Sequence, residues 1–200
     1  MTDLSTEEKI MEAAKKLFYQ KGFEATKTRD IAEEAGINLA LLNYYFRSKK
    51  KLFDLILLES FKQFIQSMHQ VFNDETTSFE QKIEVYTSNY IDFLITQPHI
   101  PVFIMSELRD NPEALIQKMQ MKEHIMQSSF FKQLLEKVMA KATPIHPLHF
   151  FVNMMAMISF PFIASPMLKH LGSLSDSDFD ELMAQRKKMI PLWVNAMLEV

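Results

Sequence analysis

Residues 26–52 read TKTRDIAEEAGINLALLNYYFRSKKKL. Apolar residues recur here at helical rather than strand spacing, in two short runs separated by Gly36-Ile37-Asn38. Thr28 begins the first run, with Ile31, Ala32 and Ala35 on its inner side. Gly36 accepts a tight turn, and Asn38 is placed to cap a second helix from about Leu39 to Phe46. Ala32 and Ala35 are small enough to let that helix cross closely, and Leu42 and Phe46 anchor it one turn apart. Two short helices joined by a glycine turn make a helix-turn-helix. Ser48 then caps a longer helix running from Lys49 to about Val71.

With Leu42 and Phe46 turned inward, the opposite face carries Ala40, Leu41 and Tyr44, flanked by Asn43 and Tyr45. This helix holds no charged residue. Such a face suits the major groove of duplex DNA. Asn43 can bond an adenine edge bidentately, and Ala40 or Leu41 can pack on a thymine methyl. The hydroxyls of Tyr44 and Tyr45 can reach phosphates, although Tyr45 could equally be core. Arg47, Lys49, Lys50 and Lys51 follow at a helix N-terminus, where phosphate is favoured. Lys50 and Lys51 read equally well as a solvated face.

Fifteen of these positions carry a resemblance. Thr28 to Ala32, Ala35 to Asn38, Leu42, Tyr45, Phe46, Ser48, Lys49 and Leu52 match the DNA-binding domain of the TetR family of bacterial repressors. The preceding Leu17, Phe18, Gly22, Phe23 and Thr26 match too. The resemblance covers about a quarter of the chain, from the first helix into the fourth. It implies DNA contacts from Thr28 and Arg29, from Leu39, Ala40 and Leu41 at the start of the recognition helix, from Asn43, Tyr44 and Tyr45, and from Lys49. The family often has Gly at the position of Ala40, Thr or Ser at Leu41 and Tyr at Asn43, so the resemblance carries over no operator sequence to this chain.

Upstream, Ser5 or Thr6 caps a first helix whose stripe is Ile10, Ala13, Ala14, Leu17 and Phe18, ended by Lys21-Gly22. Downstream, a polar break at residues 73–78 precedes a helix from Phe79 to Thr96. A short helix spans about Val102–Arg109, and a longer helical region, in one piece or two, reaches about Ala142, before Thr143-Pro144 and Pro147. Two long helices, about Leu148–His170 and Ser175–Leu198, close the chain, with Pro191 expected to kink the last. The fold class is all-α. An N-terminal helix-turn-helix domain (1–50) leads into a larger helical ligand-binding and dimerisation domain (51–200), the boundary lying within the fourth helix.

Composition excludes much. The 200 residues include three glycines and no cysteine, so glycine-built phosphate cradles, thiolate metal sites and disulfides are absent. The three glycines, Gly22, Gly36 and Gly172, each follow a helical run, where a left-handed residue is wanted. Net charge is −3, but residues 1–52 hold ten Lys/Arg against eight Asp/Glu, so the positive end is the helix-turn-helix end. The polar start MTDLSTEEK is unlike a secretory signal, and a cytoplasmic location is expected. Leu148–Leu168 has no formally charged residue and a membrane-spanning length. Its Asn, Ser and Pro residues and its bare edges favour burial in protein instead.

No catalytic residues, metal ligands or cofactor are expected. His146 and His149 are the one close histidine pair, interrupted by Pro147. Glu107 and Asp110 share a helix period but sit at a solvated helix end. An enzyme, or a helical ligand-binding scaffold with a vestigial helix-turn-helix, is the rival reading. The stripe Tyr86, Tyr90 and Phe93 reads as core or as the lining of a ligand cavity. Other lining candidates are Phe64, Met68, Phe103, Met105, Met119 and Met126, in a chain with 15 Met and 17 Phe. The resemblance implies a regulator, released from a palindromic operator by a small apolar ligand acting through the fourth helix. It also implies a homodimer paired through the last two helices.

Overall fold

The computed structural model describes residues 4–120, 122–140 and 146–199, which are helical with no strand among them. The break expected at Ala142, Thr143 and Pro144 lies outside the described residues. The chain divides into two compact units, Met1–Phe61 and Lys62–Val200, and the division falls inside one helix.

Four helices build the first unit: α1 (Thr6–Ala25), α2 (Thr28–Glu34), α3 (Leu39–Tyr45) and the first part of α4 (Lys49–Ser67). Local chemistry sets their starts. The Ser5 hydroxyl and the Glu8 carboxylate form a reciprocal capping box on α1. The Asn38 side chain accepts from the Leu41 amide at 2.8 Å on α3, and the Ser48 hydroxyl from the Lys51 amide at 3.2 Å on α4. Gly36, with φ +67°, makes the turn between α2 and α3. Ile10, Ala14, Leu17, Ile31, Ala32, Leu42, Phe46, Leu52 and Ile56 close into one buried core. Gly22 turns the chain at φ +76°, and one more helical turn follows before α1 ends at Ala25.

The second unit contains the rest of α4, then α5 (His69–Asn73), α6 (Phe79–Thr96), α7 (Ile100–Asp110) and α8 (Pro112–Lys118). A single π-helical turn (Lys122–Met126) leads to α9 (Ser129–Met139), α10 (Pro147–Ile163), α11 (Ser165–Gly172) and α12 (Asp176–Glu199). Helix α6 runs as its capping residues dictate, with Ser78 and Gln81 in a reciprocal box, and it packs on α10 and α12. The buried Lys82 ammonium donates to the carbonyls of Asp74 and Thr77, at 2.6 and 2.8 Å, and to Gln133 Oε1 at 3.1 Å. It thereby pins the loop before α6 to α9.

Four expectations are corrected. The fourth helix stops at Ser67, whose hydroxyl donates to the Phe64 carbonyl, and α5 restarts it. The region before residue 140 is three helical pieces. The expected helix Leu148–His170 is two helices bent by 68° at Ala164. Pro166, in the first turn of α11, cannot donate back to Phe162. Pro161, by contrast, lies inside α10: the Met157 carbonyl it leaves open accepts instead from Arg186 Nη2 at 2.7 Å. Finally, Gly172 is helical and Ser173 takes the left-handed cap, φ +50°. A Cβ at Gly172 would lie 2.9 Å from Leu174 Cγ. Helix α12 continues through Pro191.

Among the described residues no single helix is long and apolar enough to cross a membrane, though the bent pair α10–α11 has the length and composition together. Helix α10 buries Phe150, Met154, Ile158 and Phe162 while Leu148, Val152 and Phe160 stay exposed.

Candidate functional site

Helix α3 separates its residues sharply. Leu42 and Phe46 are 1% and 4% exposed, whereas Tyr44 is 80% exposed. Ala40, Asn43 and Tyr45 are exposed beside it, and Leu39 and Leu41 are half-buried. Tyr45, at 41% exposure, stands edge-on to Tyr44 with ring centroids 5.5 Å apart and is not part of the core. Tyr44 is therefore no part of the core of this unit. Thr28 is half-buried and Arg29 exposed at the start of α2. The unit therefore presents, at one surface helix, the face that the sequence assigns to DNA.

The basic residues that follow do not behave alike. Arg47 and Lys51 are exposed, and Lys50 pairs with Asp54 one turn on, at 2.5 Å. Lys49 is half-buried. Its ammonium donates to the Phe23 carbonyl at 2.7 Å and the Thr26 carbonyl at 3.0 Å, and lies 4.2 Å from the Phe23 ring centroid. The Thr26 hydroxyl, itself buried, donates to the carbonyls of Gly22 at 2.7 Å and Leu17 at 3.3 Å. Together these two side chains satisfy carbonyls that the end of α1 leaves open. The last turn of α1 carries no basic residue of its own, so Lys49 supplies the favourable cation there. The sequence offered no sign of this tie, because its partners lie 26 and 23 residues away.

In the second unit an apolar cleft of about 590 Å³ opens among α5, α6, α8, α9 and α10 and the π turn. Phe72, Phe130 and Phe131 form part of its wall, with Phe151, Met154 and Met155 from α10. Phe72 and Phe130 stack at 5.0 Å, and Phe131 and Phe151 at 6.0 Å. Tyr86 is the buried polar group of this wall. Its hydroxyl donates to the Met155 thioether at 3.7 Å. Burial, with a smaller effect from Tyr90, pushes the Tyr86 phenol well above the usual tyrosine range. Burial lifts Tyr90 to about 12, although its hydrogen bond to Ser159 works the other way.

Of the residues expected to line a ligand cavity, Tyr86 and Met126 are in this wall. Phe64, Tyr90 and Phe93 stack on one another instead, with Phe64 4.9 Å from Tyr90 and 4.7 Å from Phe93. Met68, Phe103 and Met119 are buried outside the wall, and Met105 is exposed on α7. The wall residues that sequence reasoning missed include the adjacent aromatics of Phe130-Phe131 and one of the pair Phe150-Phe151. Such a pair puts one ring inward and leaves the other at its edge, which was the available signal. Among the described residues no group of three or more His, Asp or Glu is placed to hold a metal ion.

Comparison with known proteins agrees with this geometry. Residues 10–56 match the sequence profile of the bacterial regulatory proteins, tetR family. The chain is 26% identical over 165 residues to the probable HTH-type transcriptional regulator YttP of Bacillus subtilis, covering 80% of this chain and 78% of that protein. Its fold is that of a TetR/AcrR-family transcriptional regulator from Thermobifida fusca, with a TM-score of 0.60 at 15% identity, over 92% of this chain and 96% of the other. The fatty acid degradation regulator FadR of Bacillus subtilis, solved in complex with stearoyl-CoA, superimposes with a TM-score of 0.54 at 17% identity, over 92% and 96%. The N-terminal helix-turn-helix is thus similar to that of the bacterial regulatory proteins of the tetR family, and the chain shares its fold with TetR/AcrR-family regulators.

Proposed function

We propose that this chain is a homodimeric, sequence-specific transcriptional repressor, which holds a palindromic operator through α3 and releases it when a small apolar molecule enters the cleft. The observation that carries the reading is the outer face of α3. Ala40, Asn43 and Tyr44 stand in solvent on a helix whose opposite side is locked into the core by Leu42 and Phe46. Asn43 suits an adenine edge, and the flanking Thr28, Arg29, Tyr45 and Lys49 suit phosphates. Leu39, Ala40 and Leu41 enter the groove first.

One short helix reads too few base pairs to find an operator, so two copies are needed. The exposed Leu148, Val152 and Phe160 of α10 and Met189, Leu192 and Trp193 of α12 offer the apolar surface for that pairing. Ligand coupling runs through α4, one helix that belongs to both units. The ketosteroid regulator KstR2 of Mycobacterium tuberculosis, which shares this fold with a TM-score of 0.55, supports an apolar effector. A reader of operator DNA of this kind works in the cytoplasm and needs no catalytic centre.

The test is selection from a pool of randomised duplexes at fixed salt. Repeated rounds are expected to enrich a two-fold symmetric sequence. A pool that stays random after repeated rounds overturns the proposal.

A further inference from the structure

From the cleft wall we infer the class of effector: an uncharged, largely apolar molecule that carries one hydrogen-bond acceptor for the Tyr86 hydroxyl. The inference rests on the cleft being the effector site, as proposed above. Its basis is the state of that hydroxyl. Tyr86 is 4% exposed, and its O–H faces Met155 Sδ at 3.7 Å, both residues belonging to the wall. A thioether is a weak acceptor. A phenol that gives up water for such a partner recovers little of its desolvation cost. An ester, ketone or ether oxygen delivered by a ligand is the better partner, and the flexible Met155 can yield to it.

The described part of the same wall offers no charged partner. Among the described lining residues there is no Lys, Arg, Asp or Glu. A carboxylate or ammonium moved into this space would be desolvated with no ion pair among those residues to offset the loss. His146, at the rim, uses Nδ1 to accept from the Leu148 amide at 3.2 Å, as the cap of α10. Its remaining nitrogen can donate to an acceptor, which fits a neutral polar end rather than a cation. The volume of about 590 Å³ lies within the range of roughly 300–1,000 Å³ typical of small-molecule sites. The chemistry therefore separates this cleft from one built for a fatty acid or a coenzyme A thioester, whose anionic ends need basic partners.

Displacement of Nile red from the full-length protein tests this with four probes: methyl laurate, dodecane, laurate and lauroyl-CoA. Methyl laurate is expected to displace the dye best. Tyr86→Phe, which keeps the ring and its packing, is expected to weaken methyl laurate about fivefold and to leave dodecane unchanged. Equal effects of Tyr86→Phe on methyl laurate and dodecane, or none on either, overturn the role of the hydroxyl. Laurate or lauroyl-CoA binding as tightly as methyl laurate overturns the uncharged class. If no probe displaces the dye, the cleft is not the effector site, and both the reading of the cleft and this inference fall.

Discussion

The Lys49 ammonium donates to the Phe23 carbonyl oxygen across 2.7 Å, joining the first turn of α4 to the end of α1. The resemblance assigns the same ammonium to a DNA phosphate. Two of its three N–H groups are already committed, to Phe23 and Thr26, so one remains for an anion. Lys49→Met keeps the aliphatic stem and leaves both carbonyls without that donor. It is expected to lower unfolding stability by about 1–3 kcal/mol in urea titration. An unchanged urea midpoint would show that water replaces the ammonium freely. Separately, if the third N–H holds a phosphate, the slope of log affinity against log salt becomes shallower by about one.

Asn43 is the residue on the exposed face of α3 best equipped to tell one base pair from another. Asn43→Ala is expected to cost about 1–3 kcal/mol on the selected operator and to relax specificity at one position in each half-site. Titration of single-base operator variants checks this. Equal weakening on every sequence would assign Asn43 to the backbone instead.

How far the chain can be read without its structure differs between the two units. Starts of α1, α3, α4 and α6 follow from Ser5, Asn38, Ser48 and Ser78, each of which caps a helix within three residues of itself. Local signals of that kind survive in a sequence. The outer face of α3 was legible for the same reason, since period and two anchors fix it. The cleft was not. Its wall draws on five helices and a π turn, and period alone cannot say which faces converge. Pro161 and Pro166 make the point within one segment. The first passes inside a helix because Arg186, on α12, takes the carbonyl it leaves open, and the second ends the run.

Alkaline pH should expose the two buried tyrosines. Tyr86 and Tyr90 keep their protons well above the usual value near 10, whereas in the unfolded chain both ionise there. Below about pH 10 both states carry these protons and the groups give no slope. Above it the unfolded state binds fewer protons, so stability falls as pH rises, until Tyr90 ionises in the folded state near 12. Urea unfolding across this range is expected to show that decline, and the double variant Tyr86→Phe, Tyr90→Phe to flatten it. An equally steep decline in the variant would place its origin elsewhere.

Leu192 stands 68% exposed on α12, on a surface shared with Trp193 and Met189. If α12 pairs two chains as proposed, Leu192→Glu is expected to leave the helical fold intact and to give a monomer in sedimentation velocity, with a loss of operator affinity. A variant that remains dimeric would move the pairing surface away from this part of α12.

The most direct measurement compares affinity for the selected operator with affinity for a scrambled duplex at physiological salt, and weighs the complex by sedimentation. The account predicts a ratio of at least about 10³ and two chains on one symmetric site. A ratio near one, with the protein folded and dimeric, would contradict it and leave α3 without an operator to read.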